Sequence, residues 1–228
     1  MKSTDSMRTP IGLVVAVVAA EGRANYGRTV AFISALQIAD LPSAWAELGF
    51  TVSDGRSQIG TVVHQLDPSS GRGVVGWTLA GVESDDLDGL PTSLGEVVDS
   101  APPTHPNGTM SIDHVVAFSP DLERTIKTFE AAGLECRRLR DTGAGRTQAF
   151  FRLGEVILEL VGPNQPGPDA TGPTRFFGLA FTVADLDATA AFLGDRLHPA
   201  KDAVQKGRRI ATLDKSAGST VSIAFMSR

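Results

Sequence analysis

Two side chains suited to acid–base or metal chemistry occupy apolar, strand-like runs. His114 stands in "SIDHVVAFSP", and Glu159 stands in "EVILELVG", 45 residues further on. A buried carboxylate without a partner is costly, so a partner for Glu159 is expected, and His114 suits that part. Three arrangements fit the pair. One is an incomplete divalent metal site, finished by waters or substrate oxygens. Another is a metal-free pair, with Glu159 as general base and His114 as its hydrogen-bond partner or acid. The third is a hydrogen-bonded relic pair facing a binding pocket. Arg152 in "AFFRLG" joins them if Gly154 and Glu155 form a two-residue turn, since it then shares a face with Phe150, Gln148 and Glu159. An inward arginine would suit a carboxylate or phosphate ligand. A register shift of one residue would turn it outward, and both placements stay open.

The elements that must position these residues can be read around them. Ile112 to Phe118 reads as a strand, and Pro120 and Asp121 mark a helix start. Leu122, Ile126 and Phe129 recur at helical spacing, and Gly133 ends the helix. "LECRRLR", "TQAFFRL" and "EVILELVG" follow as strands, giving the order β-α-β-β-β. "FGLAFTV", "ADLDATAAFLGDRL", "RRIATLD" and "STVSIAFM" repeat it near the C-terminus, with Leu186, Ala190 and Leu193 on one helix face. "TVAFISALQI", "ADLPSAWAELGF", "IGTVVHQLD" and "GVVGWTLAG" form a fainter copy near the N-terminus.

Aligning the "DL" pairs at Asp40, Asp121 and Asp185 puts Ile33, His114 and Gly178 in register. The matching last-strand places are then Thr78, Glu159 and Ala224, at separations of 45, 45 and 46 residues. Near-constant spacing supports an internal repeat. The expected division is a leader or extra strand over 1–27, a degenerate βαβββ module over 28–84 and a linker over 85–109. A module with His114 and Glu159 over 110–163, a linker over 164–174 and a module over 175–228 complete it. The fold class is α+β, with repeated βαβββ modules paired into a curled β-sheet cup. A module without a partner would leave an apolar face bare. That predicts a homodimer through about Thr29 to Val82, unless "IGLVVAVVAA" folds back to cover the face. That run is too short to span a bilayer. Lys2 and Arg8 before it suit a signal-peptide core, while Pro10 and the valines suit a strand.

The runs "IDHVVAFSPDLERTIKTFEAAGLE", "AFFRLGEVILELVGP" and "GLAFTVADLDATAAFL" resemble the vicinal oxygen chelate superfamily, which includes glyoxalase I, bleomycin-resistance proteins and extradiol dioxygenases. "HPNG", "IDHVV" and "GRRIATL" resemble a bacterial glyoxalase-like subgroup within it. The resemblance implies paired modules curled into an open cup, with metal ligands from the first and last strand of each module. Carried over, the ligand places are His114, Glu159, Gly178 and Ala224, and the last two have no ligating side chain. The first module offers Ile33 and Thr78 and does no better. Metal binding is thus reduced to a half-site at His114 and Glu159. No tightly bound cofactor is expected, and only a weakly held divalent metal.

Bulk composition narrows the field further. A net charge of -5 argues against non-specific nucleic-acid binding, and the lone Cys136 excludes an intrachain disulfide and a cysteine zinc site. One cysteine suits a cytoplasmic setting. No Ser-His-Asp order, GxSxG or nucleotide loop is present. The "KGRR" run from Lys206 reads as a solvated loop, and His64 and His198 read as structural or surface residues. The expected partner is a small-molecule ligand, with no nucleic acid and no membrane. The function reading is a glyoxalase-like lyase or isomerase using Glu159 and His114 on an oxygen-rich metabolite. The competing reading is a non-catalytic binding or drug-sequestering protein.

Overall fold

The computed structural model describes residues 30–97, 101–168 and 170–228. The "IGLVVAVVAA" run lies outside the described residues. The first part of the chain forms β1 (Phe32–Ile38), α1 (Pro42–Glu47), β2 (Arg56–Ile59), β3 (Val62–Leu66), β4 (Val74–Ala80) and β5 (Thr92–Leu94). Next come β6 (Thr109–Phe118), α2 (Leu122–Ala131), β7 (Cys136–Asp141), β8 (Arg146–Leu153) and β9 (Val156–Pro163). Last are β10 (Arg175–Val183), α3 (Leu186–Leu193), β11 (Lys201–Asp202), β12 (Arg209–Thr212) and β13 (Ser222–Met226). No helix among the described residues is long and apolar enough to cross a membrane.

Two sheets result, and the fold is α+β. The larger has the order β11-β12-β13-β10-β6-β9-β8-β7. Its first strands, β6 and β10, pair antiparallel at the centre. Each runs parallel to the last strand of its own module, β9 and β13. The crossover helices start where expected for local reasons. Asp121 caps α2 by accepting from the Arg124 N–H, and Asp185 caps α3 by accepting from the Asp187 and Ala188 N–H groups. Gly154 sits at φ 64° between β8 and β9, in the left-handed region that a two-residue hairpin turn needs. That turn pairs Arg152 with Ile157 and Phe150 with Glu159.

The smaller sheet has the order β2-β3-β1-β4-β5 and corrects the repeat alignment. β1 runs parallel to β3, as a first strand does to the last strand of its module. So the N-terminal counterpart of Glu159 falls at Val63, opposite Ala35, and not at Thr78. β4, which carries Thr78, lies antiparallel on the other side of β1, with β5 parallel to it. It takes the place that β10 takes beside β6. The small sheet is therefore a shortened copy of the whole large sheet, and β5 lies inside the stretch read as a linker. A non-local pairing decided this, and local hydrophobic pattern carries no signal for it.

The apolar face predicted to need a second chain is covered within the chain. Trp45 and Phe50 are fully or almost fully buried and pack on Phe181 and Phe225 of the large sheet, with ring centroids 5.3–6.3 Å apart. The reason given for a homodimer is thereby removed. Polar clasps fix the same seam. Asp40 is buried and accepts from Trp45 Nε1 at 2.9 Å, Ser219 Oγ at 2.7 Å and the Thr220 N–H at 2.8 Å. Asp88 accepts a bidentate pair from Arg124 at 2.8 and 3.1 Å, and also accepts from Thr125 and Thr174. Burial alone would push the Asp88 carboxyl up, but these donors outweigh it and hold it below the usual range.

The "HPNG" run is a third clasp. His105 Nδ1 accepts from the Thr51 N–H at 3.0 Å, and Asn107 Nδ2 donates to the Leu48 carbonyl at 2.9 Å. Asp40→Ala would leave the buried Trp45 indole N–H without its acceptor and would release Ser219 and Thr220 from the seam, so it should destabilise the chain by about 2–4 kcal/mol in urea unfolding. An Asp40→Ala protein within about 0.5 kcal/mol of wild type would show that the clasp carries no stability.

Candidate functional site

His114 lies on β6 and Glu159 on β9, adjacent parallel strands of the large sheet. Alternation places Val115 and Ala117 on the opposite face, where both are fully buried in the core. The concave face carries the polar groups. One cavity of about 820 Å³ is lined by His114, Glu159, Gln148, Phe150 and Arg152. Arg138 of β7 and Lys201 of β11 line it too. β7 and β11 are opposite edges of the sheet, so the sheet must curl for both to face one cavity. A second cavity of about 560 Å³, lined by Gly178, Ala224, Ser222, Lys215 and Arg72, also reaches His114. His114 stands where the two lobes meet, and Arg72 brings the N-terminal unit to the edge of the second.

The pair is oriented from both sides. Gln148 Nε2 donates to Glu159 Oε1, and Arg140 Nε donates to Gln148 Oε1 at 2.7 Å. His114 Nε2 stands 4.0 Å from Glu159 Oε2. That is an ion-pair distance and too long for a hydrogen bond, so both groups keep bonding capacity toward a ligand. On the far side of the ring, Nδ1 lies 3.6 Å from Asp113 Oδ1, an ion-pair contact just beyond hydrogen-bond distance. Asp113 is itself held by Arg208 Nη1 at 2.7 Å. Burial alone would push the Asp113 carboxyl up, but the adjacent His114 and Arg208 outweigh burial and hold it below the usual range. A carboxylate fixed behind Nδ1 leaves Nε2 for the cup, which is how a second partner sets the roles of the two ring nitrogens.

Sequence alternation would put Asp113 and His114 on opposite faces. The structure brings both to one network because β6 is irregular at this point. His114 pairs with Ala180 and Ile112 pairs with Phe181, so Asp113 has no opposite number on β10. A bulge of this kind re-aims a side chain. The only hint in the sequence is an aspartate inside "SIDHVV". Arg208, part of the run read as a solvated loop, is instead half-buried against Asp113, while Arg209 pairs with the exposed Asp187 at 3.0 Å. Gln148, Phe150, Glu159 and Arg152 share the cavity as the hairpin register predicts, although Arg152 Nε donates to the Gly154 carbonyl at 2.8 Å, near the hairpin tip. His64 and Cys136 lie outside both cavities, while His198 borders the second.

The donor set does not fit a chelated metal. His114 and Glu159 supply two ligands, and catalytic metal sites commonly use three. Ala224 offers only a methyl group. Gly178 offers none and could accept none, since a Cβ there would stand 2.2 Å from the Ser222 carbonyl oxygen. Among the described residues, no three His, Cys, Asp or Glu side chains come together in a way that could hold a metal ion.

Comparison with known proteins bears on the same unit. Residues 113–212 match the profile of the Glyoxalase/Bleomycin resistance protein/Dioxygenase superfamily. The match covers under half of the chain, and this part of it is similar to that superfamily, the vicinal oxygen chelate group. No curated protein matches the chain. Among solved structures, methylmalonyl-CoA epimerase from Mycobacterium tuberculosis is 20% identical, over 53% of this chain and 89% of that one, with a TM-score of 0.43. A Streptomyces coelicolor methylmalonyl-CoA epimerase variant in complex with 2-nitronate-propionyl-CoA is 23% identical, over 51% of this chain and 95% of that one, with a TM-score of 0.41. A hypothetical protein from Bacillus halodurans is 16% identical, over 52% of this chain and 94% of that one, with a TM-score of 0.42.

Proposed function

We propose that the cup binds a small oxygen-rich metabolite and that Glu159 moves a proton at a carbon next to a carbonyl, as in a lyase or isomerase. The observation that carries this reading is the facing pair, His114 Nε2 and Glu159 Oε2 at 4.0 Å, each with its own orienting partner, in a cavity of ligand size. A general base must reach a carbon-bound proton, and a nearby acid must meet the charge that develops on the carbonyl oxygen. Glu159 suits the first part and His114 the second. The proton leaves carbon for Glu159 while the electron pair passes to the oxygen, where His114 donates. Return of the proton to the same carbon gives an isomerase. Departure of a β-substituent gives a lyase.

The second reading is a binding protein without chemistry. It is favoured by the Gly178 and Ala224 surfaces of the second lobe, which offer shape and no reactive group. Proton exchange separates the two. The full chain, incubated in D₂O with a panel of 2-oxo acids, 2-hydroxy ketones and acyl thioesters, should wash deuterium into the carbon beside the carbonyl of at least one of them. Excess EDTA should leave that rate within about twofold, because the base needs no metal to act. Ligand-induced stabilisation without exchange would overturn the enzyme reading in favour of binding. Exchange abolished by EDTA would overturn the metal-free mechanism.

A further inference from the structure

We propose that the ligand of the cup is an anion, bearing a carboxylate or phosphate group, and that Arg138 and Arg140 take its charge. This rests on the cup being the binding site and adds the chemical class of what enters it. The chain as a whole carries a net charge of -5. The larger cavity is the reverse. Arg137, Arg138, Arg140, Arg152 and Lys201 line it against Glu159 and Asp202, five cations to two anions, or +3. Arg137 is matched by Glu135 at 3.3 Å. Arg138 and Arg140 have no carboxylate within ion-pair distance among the described residues.

What holds them instead is aromatic. The Arg138 and Arg140 guanidinium carbons stand 5.9 and 5.8 Å from the centroid of Phe150. Cation–π contact keeps two like charges over one ring, and their mutual repulsion is relieved by an anion between them. Guanidinium groups stay charged at every relevant pH and bind carboxylate or phosphate in bidentate fashion. Arg140 also donates to Gln148, which donates to Glu159. An anion at the arginines therefore sits one side chain away from the proposed base, close enough to orient an adjacent carbon. Charge on an edge strand can serve merely to block pairing with another sheet, and β7 is an edge. Charges with only that purpose need not line a cavity or pack on a neighbouring strand's aromatic ring, and these do both. The irregular pairing between Cys136 and Arg138 adds Arg137 to the same wall.

Malonate and pyrophosphate serve as probes, titrated calorimetrically into the full chain at low salt. At least one should bind, with Kd raised tenfold or more in the R138Q/R140Q double variant. It should be unchanged in R56Q, which removes the same type of charge from an exposed position on β2, away from the cup. Tighter binding of malonate assigns a carboxylate, and tighter binding of pyrophosphate a phosphate. A thermal midpoint matching wild type shows that the double variant is folded, as expected for partly exposed side chains. The proposal is overturned if neither probe binds, if the double variant binds as wild type does, or if R56Q weakens binding equally. Glu159→Gln should keep the probe bound. Exchange without anion binding would sink this proposal and leave the catalytic reading standing. Anion binding without exchange would do the reverse.

Discussion

The protein should lose stability steeply as pH falls from about 6.5 toward 4, and His64→Leu should remove most of that loss. His64 is fully buried, with Trp45 at 5.3 Å and Phe181 at 5.9 Å between ring centroids. Its Nδ1 contacts the Ser57 carbonyl at 3.2 Å, and its Nε2 has no partner. Burial depresses its pKa from 6.5 to about 3, opposed by the Ser57 carbonyl contact and reinforced by His105. The unfolded chain therefore binds a proton near pH 6.5 that the folded chain refuses. Stability is full above 6.5 and falls as pH drops toward 3. The shift corresponds to roughly 4–5 kcal/mol at the acid end, a large part of the 5–15 kcal/mol typical of a domain. Burial depresses His105 as well and acts in the same direction. Asp88 and Asp113, held below their usual range, add losses only at lower pH, as they take up protons. Urea midpoints at pH 7 and pH 4.5 measure the effect. An equal drop in wild type and His64→Leu would refute it.

The same residue shows where sequence reading reaches its limit. A histidine in "TVVHQLD" reads as structural or surface, and only the packing of the small sheet on Phe181 decides that it is buried. What was legible was local. Helix caps at Asp121 and Asp185, the turn at Gly154 and the alternation in "AFFRLGEVILEL" predicted α2, α3 and the β8–β9 register. Asp40 has the same "DL" signature, yet α1 begins only at Pro42, and the Asp40 carboxylate binds Trp45 and Thr220 instead of capping. The two irregularities that shape the cup, at Asp113 and at Arg137, break the alternation on which strand reading depends. The clasp at His105 and Asn107 resembles a linker because its bonds run to Thr51 and Leu48, more than 50 residues away. Signals that a residue shares with its neighbours were readable. Signals that depend on distant strands were not.

Glu159→Gln should slow proton exchange by roughly 10²–10⁴-fold, the range for removal of a positioned general base. The amide matches the carboxylate in shape, so ligand binding should be nearly unchanged and the loss should fall on the rate of the bound complex. Two neighbours should give smaller and different effects. Gln148→Ala removes the donor to Glu159 Oε1 and frees Arg140 Nε of its partner. The base remains but its direction is lost, which should slow exchange by up to about 100-fold. Asp113→Asn leaves the strand intact but removes the charge behind His114 Nδ1 and the ion pair with Arg208. If His114 donates to the developing oxyanion, this variant should alter the pH profile of exchange as well as its height. A role that only supports the fold would lower stability and leave the profile of the surviving protein unmoved. The ordering is the test. Glu159→Gln must be the most damaging, and doubling it with Gln148→Ala should add little, because Gln148 acts only through the group already removed. Additive losses would place Gln148 in direct contact with the reacting group. Full exchange in Glu159→Gln would move the base elsewhere in the cup.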